Sequence, residues 1–127
     1  TATGWRELPE LRKAVTKSLK DSLAGDGPGP WVMSHLSHVY DTGGSLYVTV
    51  VAARDATDPV GQWQAAKAAA CEAIVAQGAT ITHHHAVGRD HAPYLAAEIG
   101  ENGVELLRAI KTYLDPDDTL NPGALLR

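Results

Sequence analysis

Three consecutive histidines, His83-His84-His85, stand inside the chain between an apolar β-like stretch and Ala86-Val87-Gly88-Arg89-Asp90-His91. Imidazole has the unperturbed pKa nearest neutrality, so such a cluster suits proton transfer, anion binding or metal ligation. Half of the six histidines lie in this triplet. A metal site would use the His83-x-His85 pair with His38 or Asp90, because catalytic zinc takes three protein ligands. No second ligand motif such as His-Glu-x-x-His accompanies them, and no metal is expected. Solvated or internally satisfied histidines are the ordinary alternative. Three in a row before a glycine turn argue instead for proton transfer or oxyanion binding.

Other side chains have two readings each. Arg89, just after Gly88, can clamp a phosphate or carboxylate through its planar fork, or pair with Asp90 on the surface. Tyr47 sits in a β-branched run, where a tyrosine is more often core than catalytic. Trp5, Trp31 and Trp63 read as packing residues near element ends. Cys71, the single cysteine, lies in an alanine-rich stretch and reads as a small buried residue rather than a nucleophile. The loop Gly25-Asp26-Gly27-Pro28-Gly29-Pro30 is no phosphate cradle, since its prolines stand where free N–H groups are needed.

The elements that must position these residues are legible from periodicity. Leu8, Leu11, Val15, Leu19 and Leu23 follow helical spacing, with Pro9 in the first turn and Gly25 beyond the end. Trp31 to Tyr40 alternates like a strand. After the Asp41-Thr42-Gly43-Gly44 turn, Ser45 to Ala53 is a stronger, β-branched strand, and the two form an antiparallel hairpin. A second helix runs from Pro59 to Gln77 and closes at Gly78. Ala79 to His85 reads as a short strand delivering the triplet, with His83 and His85 on one face and His84 on the other. Ala92 to Gly100 is expected as a short helix, and Gly103 to Leu114 as a longer one. The order implies an α+β fold, an antiparallel sheet with helices on one face.

With 127 residues the chain has room for one domain with a core, taken as residues 1–127. A formal charge of −4 without a Lys/Arg run excludes a nucleic-acid footprint. No apolar run approaches the ~20 residues of a membrane span and no signal-like N-terminus is visible, so a reducing, cytoplasmic setting is expected.

Taken together, Thr1-Ala2-Thr3-x-Trp5, Ser37-His38-Val39-Tyr40-x-Thr42-Gly43-x-Ser45-Leu46-Tyr47, Gly78 to His85 with Val87-Gly88-Arg89-Asp90, Leu114-Asp115-Pro116 and Leu120-Asn121-Pro122-Gly123 resemble one family. It is the C-terminal part of the FAD-dependent alkyldihydroxyacetonephosphate synthases, within the vanillyl-alcohol-oxidase-type flavoproteins. The likeness covers essentially the whole chain. The Asn121-Pro122-Gly123 tail is shared widely in that superfamily, whereas the triple histidine is far more specific.

The resemblance implies a cap domain over the flavin, in an enzyme exchanging the acyl group of acyl-dihydroxyacetone phosphate for a fatty alcohol in ether lipid synthesis. It implies that a histidine among His83, His84 and His85 removes a proton at the reacting carbon, that flavin N5 forms the covalent adduct, and that Tyr47 is the acid–base partner. Arg89 and Asn121 are expected to bind substrate or cofactor. FAD would be held mainly by an upstream FAD-binding domain, and this chain alone is expected to be inactive. Expected partners are that domain and a small-molecule or lipid-phosphate substrate, with no nucleic acid; a homodimer and peripheral membrane association of the full enzyme remain open. Ala86 stands where the family commonly has glycine. The competing readings are an FAD-linked 2-hydroxy-acid dehydrogenase and a non-catalytic binding module.

Overall fold

The β-branched run around Tyr47 is the centre of the sheet. In a computed structural model, which describes residues 1–126, β1 (Ala2–Gly4), β2 (Trp31–Val39) and β3 (Gly43–Val51) form an antiparallel sheet in the order β1-β3-β2. The chain divides into two units, one from Thr1 to His83 and one from His84 onward.

In the first unit, α1 (Leu8–Ser22) begins with a proline in its first turn and buries Leu11, Val15 and Leu19. Those residues are spaced by four, the stripe that faces a core. The second helix, α2 (Pro59–Ala76), starts at Asp58, whose side chain accepts a hydrogen bond from the Gly61 N–H, and ends before Gly78 at φ 63°. That is an N-cap and a left-handed stop of the usual kind. From α2 come Ala66, Cys71 and Ile74, and from the sheet region Leu46, Ala79 and Ile81, all buried. Cys71 is therefore the small core residue expected.

The hairpin also forms as expected, and its turn closes with the Tyr40 N–H donating to the Gly43 carbonyl at 2.9 Å. The expected fold class holds: helices and a three-stranded antiparallel sheet. Arg12 of α1 donates to the Ser34 hydroxyl at 3.0 Å, which identifies the side of the sheet that α1 covers.

Two local expectations are corrected. Ala79 to His85 is not a strand: only Thr80 bridges, to Ala2, and the triplet follows in bends. A three-residue strand, β1, takes the sheet edge beside β3, so the run after Ala79 meets a partner too short to extend along. Trp31 and Trp63 are not packing residues, being 72% and 60% exposed.

In the second unit a 3₁₀ turn (Ala92–Tyr94) leads into α3 (Leu95–Leu114), which breaks at Gly100 (φ 75°, ψ 161°). The break matches the expected division into two helices, since glycine alone adopts that conformation without strain. After α3 the buried Asp115 carboxylate accepts hydrogen bonds from the Thr119 N–H and hydroxyl, both at 3.0 Å, and from the Leu120 N–H at 2.9 Å. It is also paired with Lys111. That ammonium, followed by the Leu120 and Thr119 donors, holds the Asp115 carboxyl well below the usual carboxylate range.

Candidate active site

A single extra residue in β2 creates the most chemically loaded patch of the first unit. Leu36 pairs with Leu46, but the next partner of Ser45 is His38 rather than Ser37, so Ser37 is a β-bulge. A bulge shifts the side-chain alternation by one. Because cross-strand partners share a face, His38 turns to the face of Ser45, Tyr47 and His35 instead of the helix-covered side. Without the bulge, Ser37 would occupy that place.

Ser45 anchors the result. It is 2% exposed, and its Oγ lies 2.6 Å from Ser37 Oγ and 3.2 Å from His38 Nδ1. The same oxygen accepts the His38 backbone N–H at 3.0 Å. The His38 ring lies 4.9 Å from the His83 ring, centroid to centroid. Tyr40, two residues on, places its hydroxyl 3.0 Å from His83 Nε2. Further along the same face Tyr47 stacks on His35, with centroids 5.1 Å apart and planes 24° from parallel.

This face is open. Trp31, Met33, Tyr47 and Val51 are all exposed on it, Tyr47 at 51%, and register pairs Trp31 with Val51 and Met33 with Thr49. Read from residue type alone Tyr47 belonged in a core, and it does not lie in one. An exposed aromatic and apolar face beside clustered imidazoles is the usual signature of a surface that meets something else.

The expected site residues are distributed over both units. His83 and Tyr47 belong to the first unit and its open face. In the second unit His84 and His85 are exposed, with ring centroids 4.3 Å apart in an edge-on arrangement. The Arg89 guanidinium is exposed and donates one Nη2 hydrogen bond to the Pro122 carbonyl at 3.0 Å. The Leu125 N–H, donating to the Gly88 carbonyl at 2.8 Å, ties the same two segments together. Asn121 is exposed in a left-handed turn residue at φ 50°, and its carbonyl accepts the Ala124 N–H.

Sequence reasoning placed Tyr40 and Ser45 in a family-like motif without giving them a chemical role, and gave His38 a role only as a metal ligand. Their alternation Ser37-His38-Val39-Tyr40 does signal one shared face for His38 and Tyr40. The bulge that selects which face has no comparable signal. Within the first unit the ligand nitrogens of His38 and His83 lie within 4.8 Å of one another, close enough to share an ion. Chemically the patch is a hydrogen-bonded set of hydroxyls and imidazoles, able to accept, hold and return a proton.

Comparison with known proteins bears on the whole chain. Residues 1–125 match the family described as FAD linked oxidases, C-terminal domain. An alkyldihydroxyacetonephosphate synthase of Trypanosoma brucei brucei is 32% identical over 90% of this chain, and one of Dictyostelium discoideum 26% identical over 99%. The chain spans about a fifth of these relatives, 19% and 21% of their lengths. The glycolate oxidase subunit GlcD of Bacillus subtilis is 33% identical over 65% of this chain and 17% of its own length. A probable mitochondrial D-lactate dehydrogenase of Danio rerio is 24% identical over 94% of this chain and 23% of its own length.

Proposed function

We propose, for a chain that belongs to the C-terminal domains of the FAD-linked oxidases, that residues 1–127 form the substrate-side domain of a flavoenzyme of the alkyldihydroxyacetonephosphate-synthase type. The reaction would exchange the acyl group of acyl-dihydroxyacetone phosphate for a fatty alcohol. The observation that carries this reading is the open sheet face, where the exposed Tyr47 shares a side with His38, anchored by the buried Ser45, and with the Tyr40–His83 hydrogen bond beside it.

The residues fit a flavin approached from one side. Trp31, Met33, His35 and Tyr47 offer a flat aromatic and apolar wall suited to a heteroaromatic ring. The glycine-rich segment Gly25 to Pro30 is an exposed loop whose prolines lack N–H groups, so it does not suit a pyrophosphate. In this reading an upstream domain grips the dinucleotide. When bound, FAD supplies the electron-accepting ring for the reaction.

This chain's own side chains then do the proton work. An imidazole among His83, His84 and His85 takes the proton from the reacting carbon and returns one to it once the ether bond has formed, and the Tyr47 hydroxyl serves the departing carboxylate as acid and the incoming alcohol as base. Across the exchange the alcohol's proton leaves with the carboxylic acid, so no net proton is consumed. The exposed Arg89 fork orients the substrate phosphate, and Asn121 lies across the same turn region of the second unit as an amide donor.

The 2-hydroxy-acid dehydrogenase reading is supported by the similarity to the D-lactate dehydrogenase and the glycolate oxidase subunit. A product assay separates the two. Incubating the full-length gene product, loaded with FAD, with acyl-dihydroxyacetone phosphate and hexadecanol should yield alkyl-dihydroxyacetone phosphate and free fatty acid. Formation of a 2-keto acid from D-lactate or glycolate with a dye acceptor, and no ether product, favours the dehydrogenase. Neither product from a flavin-loaded protein favours a binding module.

A further inference from the structure

Tyr40 is exposed, yet its position is fixed from three directions. Its backbone N–H donates to the Gly43 carbonyl at 2.9 Å. Its carbonyl accepts the Trp5 indole N–H at 3.1 Å, and the same indole reaches the Asp41 carbonyl at 3.2 Å. The hydroxyl lies 3.0 Å from His83 Nε2. Its backbone is tied at both polar atoms, so the Cα–Cβ direction is set and only the side-chain rotamer is left for the hydroxyl contact to hold. Beside it, the His38 ring lies 7° from parallel to the Tyr40 ring, and Ser45 fixes His38 from the strand side.

We propose that Tyr40 is a positioning residue for His83, fixing the orientation and tautomer of its ring. The inference rests on the flavoenzyme reading above. A neutral imidazole has one N–H and one lone pair, and the partner at one nitrogen decides which nitrogen carries the proton. In this proposal the Tyr40 O–H is the donor to Nε2, which leaves the His83 proton on Nδ1. His38, packed against the same ring, limits its rotation. Tyr40 itself need not touch substrate.

The test is Tyr40→Phe in the full-length, FAD-loaded protein, which keeps the ring and removes only the hydroxyl. We expect kcat to fall about 10-fold, the scale seen when the partner orienting a histidine is lost, with KM for acyl-dihydroxyacetone phosphate unchanged within about twofold. In protein labelled with ¹⁵N-histidine, the His83 ring nitrogens should move from the Nδ1–H pattern toward the more common Nε2–H pattern. Unchanged kcat, unchanged His83 nitrogen shifts, or a loss of kcat that merely tracks a lower melting temperature would each overturn the proposal. Failure of the flavoenzyme reading looks different: the wild type would make no ether product, while the His83 shifts would still respond to Tyr40→Phe.

Discussion

His84→Ala removes an exposed imidazole whose ring meets that of His85 edge-on. Turnover of the full-length enzyme should fall by ~10²-fold or more, the usual scale for a lost general base. Wild-type turnover with normal FAD content would take His84 out of the reaction. Arg89 is a sharper case, because its guanidinium also bonds the Pro122 carbonyl. Arg89→Lys should raise KM for the phosphate substrate about 10-fold, since an ammonium cannot reproduce a two-pronged contact; an unchanged KM would leave Arg89 with a purely structural bond. The triplet and Arg89 drew notice through residue type and neighbours, whereas Tyr47 read as a core residue and gained a catalytic role only through the family resemblance. The partners of His83 were not, because Tyr40 and His38 lie more than forty positions away in sequence and reach it only through a one-residue bulge.

At the scale of elements, the hairpin depends on Gly43, where a Cβ would lie 2.2 Å from the Thr3 carbonyl oxygen of β1. Gly43→Ala should cost about 1–3 kcal/mol, as overpacking does, read as a lower urea midpoint at unchanged slope. Asp115 makes a prediction for pH. Its folded pKa is depressed, chiefly by Lys111, so its contribution is present above the unfolded value of about 4 and is lost as pH falls through the folded value. Thermal melts should therefore lose stability below about pH 4, and Asp115→Asn, weaker at neutrality, should show a flatter acid limb. An identical acid limb in the variant would contradict the assignment. Helices α1, α2 and α3 were readable from caps, leucine spacing and glycine stops. β1 was not, since Ala2-Thr3-Gly4 carries no period and becomes a strand only through pairing with Gly43 to Ser45.

At the scale of the molecule, no helix is long and apolar enough to cross a membrane among the described residues. The α+β class was legible from the order of periods. Which sheet face stays open was not, because the exposed Trp31, Met33 and Tyr47 look like core residues until α1 is seen on the other side. One wall buries too little of a ligand, where cofactor pockets bury ~70–90%, so equilibrium dialysis of this 127-residue chain should find no sub-micromolar FAD binding. The most direct test of the proposed function is the visible flavin spectrum of the full-length gene product, mixed anaerobically with acyl-dihydroxyacetone phosphate and, separately, with D-lactate. The synthase reading predicts loss of the flavin band with acyl-dihydroxyacetone phosphate, recovery on adding hexadecanol without any electron acceptor, and no change with D-lactate. Bleaching by D-lactate alone, reversed only by an electron acceptor, would contradict it.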